Sequence, residues 1–132
     1  MVAQLLQHIL EAHELWLAGA PGGKRAMLAD RNLAGLDLQG VVLQSADLGG
    51  ADFSNSDLRR ANLSQCRLTG AVLVGSNLEN ASLFRADLSD ADLRGACLRG
   101  TNLNEIDIWR ANFQGCVIAP ATLHELLGCQ KP

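Results

Sequence analysis

Between residues 26 and 125 a large apolar residue returns at every fifth position without interruption. The series is Leu28, Leu33, Leu38, Leu43, Leu48, Phe53, Leu58, Leu63, Leu68, Leu73, Leu78, Leu83, Leu88, Leu93, Leu98, Leu103, Ile108, Phe113, Ile118 and Leu123, or 20 units in phase over 100 residues. Take the apolar residue as position i. Position i−2 is then Ala, Ser, Cys or Thr in 16 of the 20 units, the exceptions being Arg31, Leu36, Val41 and Ile106. Position i−1 is Asp or Asn in 12 units, and position i+2 is Gly in eight.

A period of five matches neither the 3.6 of a helix nor the 2.0 of a strand. It matches a short extended piece followed by a corner. Positions i−2 and i then point inward, while i−1, i+1 and i+2 face water. Small residues at i−2 let the walls approach, and Leu at i fills the centre. Gly and Asx suit the corners, where a positive φ or a side-chain-to-backbone bond is wanted. No single coil is stable alone. Four buried leucines supply about 8 kcal/mol, against roughly 20–40 kcal/mol of backbone entropy for some 20 residues. Stacking of coil on coil has to supply the rest, which makes the chain a solenoid.

Residues 2–17 carry a helical period instead. Leu5, Ile9, Ala12 and Trp16 form one stripe, and Leu6, Leu10, His13 and Leu17 a neighbouring one. Gly19, Pro21, Gly22 and Gly23 stop this helix, and its stripe is wide enough to cover the open end of an apolar rod. The Gly23-Lys24 pair is no phosphate loop, because position 18 is Ala18 and position 25 is Arg25. At the other end Pro120 and the run to Gly128 read as a short helix that plugs the final coil, with Leu123 shared between helix and last unit.

The units resemble the pentapeptide-repeat family, whose pattern is A(D/N)LXX. Ala46-Asp47-Leu48, Ala61-Asn62-Leu63, Ala86-Asp87-Leu88, Ala91-Asp92-Leu93 and Ala111-Asn112-Phe113 carry the match. The resemblance implies an all-β solenoid, a right-handed quadrilateral β-helix of about five coils with four pentapeptides each. It also implies a helical cap, here over residues 1–25, before the repeats at 26–125, and the short helix read from Pro120 onward makes 121–132 a C-terminal cap and tail. The period of five does not itself fix four units per coil. Residues 20 apart would stack in that arrangement, placing Asp47, Arg67, Asp87 and Asp107 up one face and Ser56 over Ser76 on the inner wall. Arg31 at an inward position either makes the first coil irregular or escapes by reaching Glu11 or Glu14. The expected core is Leu48 to Leu103 at every fifth residue, followed by Ile108 and Phe113.

Composition narrows the function. The net charge is −3, which argues against direct nucleic-acid or anionic-membrane binding. The N-terminus lacks a basic n-region and no apolar stretch is long enough to span a bilayer, so the expected location is the cytoplasm. Cysteines 66, 97, 116 and 129 have no paired spacing and read as reduced thiols. Cys66 and Cys116 occupy small inward positions, and Cys97 faces outward. His124 with Cys116 and Cys129 fits no metal-ligand spacing. His13 packs or hydrogen-bonds within the cap. No catalytic constellation, cofactor site or metal site is visible.

Exposed apolar residues are the better lead. Val72, Val74, Phe84 and Trp109, with Arg85 and Arg110 as polar neighbours, form the candidate interaction surface. The plainer reading packs Trp109 against the C-terminal helix and leaves Phe84 as a single tolerated exposure. The function these residues favour is a non-catalytic interaction or scaffold module for an unknown protein partner, itself a monomer or weak dimer. The resemblance implies an alternative, because some family members mimic duplex DNA and bind or inhibit DNA gyrase. Residues 26–125 hold 12 acidic and 8 basic groups, a weak net charge for such a mimic.

Overall fold

The computed structural model describes residues 3–128. Helix α1 (Ala3–Leu17) is followed by the repeats and then by helix α2 (Pro120–Leu126). Between the helices each unit contributes one bridged residue, at i−1, and each bridge is parallel to the residue 20 further on, from Met27 with Asp47 to Cys97 with Val117. Four five-residue units therefore separate stacked positions. Among the described residues the extended segments are no longer than these single bridges.

The unit around Leu48 shows why the pattern has this composition. Leu48 and Gly50 donate their N–H groups to Arg67 and Thr69 in the next coil, at 2.8 and 2.9 Å, and Asp47 donates to Ala26 in the previous one at 3.1 Å. Ala51 donates back to the Leu48 carbonyl at 3.1 Å, closing the corner. The remaining N–H, that of Gly49, donates to Asp47 Oδ1 at 3.1 Å. Every backbone donor of the unit is thus satisfied. The last bond explains the Asx preference. All 12 units with Asp or Asn at i−1 make it, the side-chain oxygen accepting the N–H two residues on. Position i−1 thus lies on the ladder, mostly half-buried, rather than out in water as the alternation suggests.

Position i+2 has φ between 57 and 72° in every unit from Leu28 to Phe113, glycine or not. Only the second corner residue is left-handed, the sign pattern of a type II turn. Arg60, Arg85, Glu105 and Arg110 adopt this conformation alongside the glycines.

The centre follows the sequence reading over most of its length. Leu48, Phe53, Leu58, Leu63, Leu68, Leu73, Leu78, Leu83, Leu88, Leu93 and Leu98 are buried, as is Leu103. Polar residues at i−2 bond inward-facing carbonyls: Ser56 Oγ donates to Leu33 at 2.6 Å, Ser76 Oγ to Leu73 at 2.8 Å, and Thr101 Oγ1 to Leu78 at 2.8 Å. Ser56 and Ser76 occupy stacked units, as the 20-residue register requires.

The two ends differ from expectation. Ile108 and Phe113 are half-buried rather than buried. The coil holding them has nothing stacked beyond it, and α2 does not seal it: no residue of α2 is buried. The bridges end at Val117 and Leu123 lies in α2, so the twentieth unit is helical. A cavity of about 470 Å³ remains between α2 and the wall around Leu103 and Ile106. At the N-terminal end only Leu6 and His13 of α1 are buried, while Leu5 and Trp16 stay 48% and 40% exposed. Arg31 points to solvent and reaches neither Glu11 nor Glu14, because α1 lies between them. Arg31 lines a groove on one flank of the helix, and both glutamates line one on the other.

Candidate functional site

The 20-residue register decides which of the candidate surface residues can meet. Phe84 and Trp109 follow the core residues Leu83 and Ile108, which are 25 residues apart and so sit on neighbouring faces. Val72 and Val74 flank Leu73, two units from Leu83, and lie on the face opposite Phe84. The six residues therefore span three successive faces instead of forming one patch. Val72 is half-buried in the ladder between Asp52 and Asp92. Val74 and Phe84 are half-buried too, whereas Trp109 is 65% exposed. Trp109 does not lie under α2, which packs instead over the wall around residues 101–106.

The two aromatic residues are built alike. Each occupies i+1 of its corner, followed by a left-handed Arg at i+2, and the positive φ turns that Arg back over the preceding ring. The Arg85 guanidinium carbon lies 5.0 Å from the Phe84 ring centre and that of Arg110 5.1 Å from the Trp109 ring centre. An acidic residue one coil away holds each guanidinium: Arg85 Nε is 2.7 Å from Glu105 Oε2, and Arg110 Nε is 3.1 Å from Asp90 Oδ1. Glu105 and Asp90 were not picked out by pattern reading. Their signal is an offset of 20 from the two arginines, which gains meaning only once the register is known.

Elsewhere the charges on the rod also neutralise one another locally. Arg59 pairs with Asp57 and Arg94 with Asp92, each at 2.7 Å, and Arg67 with Asp47 at 2.9 Å. The Arg59 and Arg94 guanidiniums hold the Asp57 and Asp92 carboxyls below the usual carboxylate range. The Gly49 amide and then Arg67 do the same for Asp47, and the Ser54 hydroxyl and amide for Asp52. These aspartates are ionised corner braces and share no proton with a second carboxylate.

Burial disfavours the thiolate at two of the cysteines. Burial pushes the Cys66 thiol up to about 12, and its Sγ donates to the Leu43 carbonyl at 2.8 Å. Burial also raises Cys116. Cys97 bridges Asn77 and Val117 within the ladder and is half-buried. His13 is enclosed between cap and first coils. Cys129 lies outside the described residues. Among the described residues no three His, Cys, Asp or Glu side chains converge as a metal site would need, and no helix is long and apolar enough to cross a membrane.

A family model of pentapeptide repeats, in eight copies, matches residues 24–60 and 61–100. Among solved structures, HetL of the cyanobacterium Nostoc, a pentapeptide repeat protein involved in heterocyst differentiation regulation, is 33% identical with a TM-score of 0.68. The alignment covers 71% of this chain and 45% of HetL, so the chain spans less than half of that protein's length. A pentapeptide repeat protein of the Arabidopsis thaliana thylakoid lumen is also 33% identical, over 70% of this chain and 58% of its own, with a TM-score of 0.38. The plasmid-mediated fluoroquinolone resistance protein QnrB1 shares 13% identity over 80% of this chain and 90% of its own, with a TM-score of 0.32. No curated protein matches the chain. With more than half of its length matched by the family model and an unbroken 20-residue register in its structure, the chain belongs to the pentapeptide-repeat family.

Proposed function

We propose that this protein is a non-catalytic docking module of the cytoplasm, a right-handed four-sided rod of about five coils that presents fixed side chains to a protein partner. One observation carries the reading. Trp109 is 65% exposed, yet it is held in place by Arg110, which Asp90 in turn braces. An exposed Trp beside an Arg, both already ordered, supplies contact area at low entropic cost, and these two residue types dominate binding hot spots. Phe84 with Arg85 and Glu105 repeats the device on the neighbouring face. Val72 and Val74, half-buried and on the face opposite Phe84, contribute less.

Charge mimicry of duplex DNA is the weaker alternative. It needs a continuous acidic surface, and five of the arginines on this rod are paired with its carboxylates. The slight likeness to QnrB1 carries no argument for a shared activity.

The test is capture of partners from the native host on immobilised wild-type protein, Trp109→Ala and Phe84→Ala. A partner retained by wild type and lost from Trp109→Ala supports the reading. Equal retention by all three, with folding of each checked by circular dichroism, rejects this surface.

A further inference from the structure

The flank of α1 that faces Arg31 gathers basic and apolar side chains without an acidic one. A groove of about 320 Å³ opens there between the helix and the first coil. His8, Lys24, Arg25 and Arg31 line it together with Leu5 and Met27, and no acidic residue does. On a chain of net charge −3 this is a local reversal of sign. The five paired arginines all lie further along the rod. Among the described residues, Lys24, Arg25 and Arg31 make no ion pair. Arg25 is anchored through Nε to the neutral Ser45 carbonyl at 2.7 Å; Asp47 feels its charge but makes its ion pair with Arg67. The floor is apolar and open: Leu5 is 48% and Met27 53% exposed.

Two of these residues are also departures from the repeat. Met27 stands at i−1, where Asp or Asn would satisfy the following N–H, and Arg31 stands at i−2, where a small inward residue belongs. Each forgoes a structural advantage of the pattern, and both open into the same groove as the cap's basic residues. The opposite flank of α1 carries Glu11, Glu14 and Asp37, so an anionic ligand is drawn to one side of the helix and repelled from the other.

We propose that this groove is a second binding site, distinct from the Trp109 surface, and that it takes an acidic peptide segment of a partner protein with apolar side chains between its carboxylates. The basic rim supplies charge complementarity, and the Leu5 and Met27 floor receives an aliphatic side chain. A nucleic acid would use the rim and leave the floor in water. The concave groove also fits a peptide better than a flat bilayer.

Fluorescence anisotropy with a fluorescein-labelled peptide alternating Glu and Leu tests the site directly. Saturable binding is expected, with the dissociation constant raised about tenfold by the double variant Lys24→Glu/Arg31→Glu and about tenfold by Met27→Asp, while Arg59→Glu changes it less than about twofold. All these side chains are exposed or half-exposed, and unchanged circular dichroism melts confirm that loss of binding is not loss of fold. Absence of binding up to about 1 mM peptide overturns the proposal. So does equal binding of a Glu/Ser peptide of the same charge, which would reduce the groove to a cation patch. Tighter binding of phosphatidylglycerol vesicles or of a duplex DNA oligomer, abolished by Lys24→Glu/Arg31→Glu, overturns it in favour of a membrane or nucleic-acid surface. None of these readouts depends on Trp109, so failure here leaves the docking surface at Trp109 untouched.

Discussion

His13 of α1 accepts the backbone N–H of Ala26, the first residue of the repeats, at its Nδ1 atom over 2.9 Å. The same ring donates from Nε2 to the Gln44 carbonyl at 2.8 Å. These two bonds fix a neutral tautomer in a fully buried position and tie the cap to both the first and the last unit of the first coil. Burial lowers the His13 pKa from its ordinary 6.5, and Arg25 lowers it further; the bond to Gln44 and the charge of Glu14 act against them. Because the folded value lies below the unfolded one, the unfolded chain binds more protons in between. The stability contributed by neutral His13 is full above about pH 6.5 and drains away as the pH falls toward the depressed folded value. The melting temperature should therefore drop between about pH 7 and pH 5. His13→Phe should flatten that drop while lowering stability at pH 8 by about 2 kcal/mol or more, since two backbone groups lose their buried partner. Thermal melts of both proteins across the range would check it, and an equal slope in His13→Phe would refute the assignment.

Two glycines that look alike in sequence should respond very differently to alanine. Gly23 ends the turn after α1, and a Cβ there would fall 2.4 Å from the Trp16 nitrogen and 2.6 Å from its Cα. Those are backbone atoms of the helix and cannot move aside singly. Gly23→Ala should displace the cap and cost more than about 3 kcal/mol. Gly70 has φ +68° with nothing within 4 Å of a new Cβ. Gly70→Ala should cost only the left-handed conformation, about 1 kcal/mol. Chemical denaturation of the two variants distinguishes close approach from backbone conformation, and similar losses would show that the turn tolerates a shifted helix.

The converse substitution applies at Arg60, where φ is +59°. Arg60→Gly relieves a left-handed strain of about 1–2 kcal/mol and adds about 0.5–1 kcal/mol of chain entropy to be lost on folding. The exposed bond from Arg60 to Gln39 adds little. A net change between zero and about 1.5 kcal/mol of stabilisation is expected. A clear destabilisation in urea titrations would mean that the Arg side chain holds the corner.

The centre of the rod admits a sharper contrast. Leu73 is fully buried between coils on both sides, so Leu73→Ala should cost about 2–5 kcal/mol and Leu73→Asp should abolish cooperative unfolding. Glu79, at i+1 of the next unit, makes no ion pair among the described residues, and Glu79→Ala should change stability by less than about 0.5 kcal/mol. Equal melting temperatures for Leu73→Asp and Glu79→Ala would contradict the inward and outward assignment.

Much of this architecture is legible in the sequence because it is one-dimensional: whatever Leu73 does, Phe53 and Leu93 do in the neighbouring coils. The inward pair at i−2 and i can be read from the size of Ala71 and Leu73 alone. Four units per coil cannot, since a period of five is the same in a rod of three, four or five sides, and this is why the bracing of Arg110 by Asp90 escapes a linear reading. The fate of Leu123 turns on Pro120, which starts a helix and ends the bridges one unit early. The direction of Arg31 depends on which flank of the first coil α1 crosses, a matter of helix docking that the stripes on α1 leave open. Ile108 and Phe113 fit the core pattern fully; their half-exposure reflects a missing neighbour, not their own unit.

The last prediction separates docking from DNA mimicry. A mimic works through a continuous acidic surface whose attraction weakens steeply with salt. On this rod Arg67 pairs with Asp47, Arg94 with Asp92 and Arg59 with Asp57, so paired arginines interrupt the acidic surface that a basic partner would need. Purified protein should leave gyrase supercoiling uninhibited at concentrations of order 1–10 µM, a range in which an affinity of about −8 kcal/mol would already show. The triple variant Arg59→Ala/Arg67→Ala/Arg94→Ala unmasks three carboxylates and should gain salt-sensitive binding to basic proteins without gaining a specific partner. A partner captured by wild type should instead bind Trp109→Ala at least about tenfold more weakly, with little change when salt is raised. Potent gyrase inhibition that survives both Trp109→Ala and Phe84→Ala would remove the aromatic surface from the mechanism and put charge in its place.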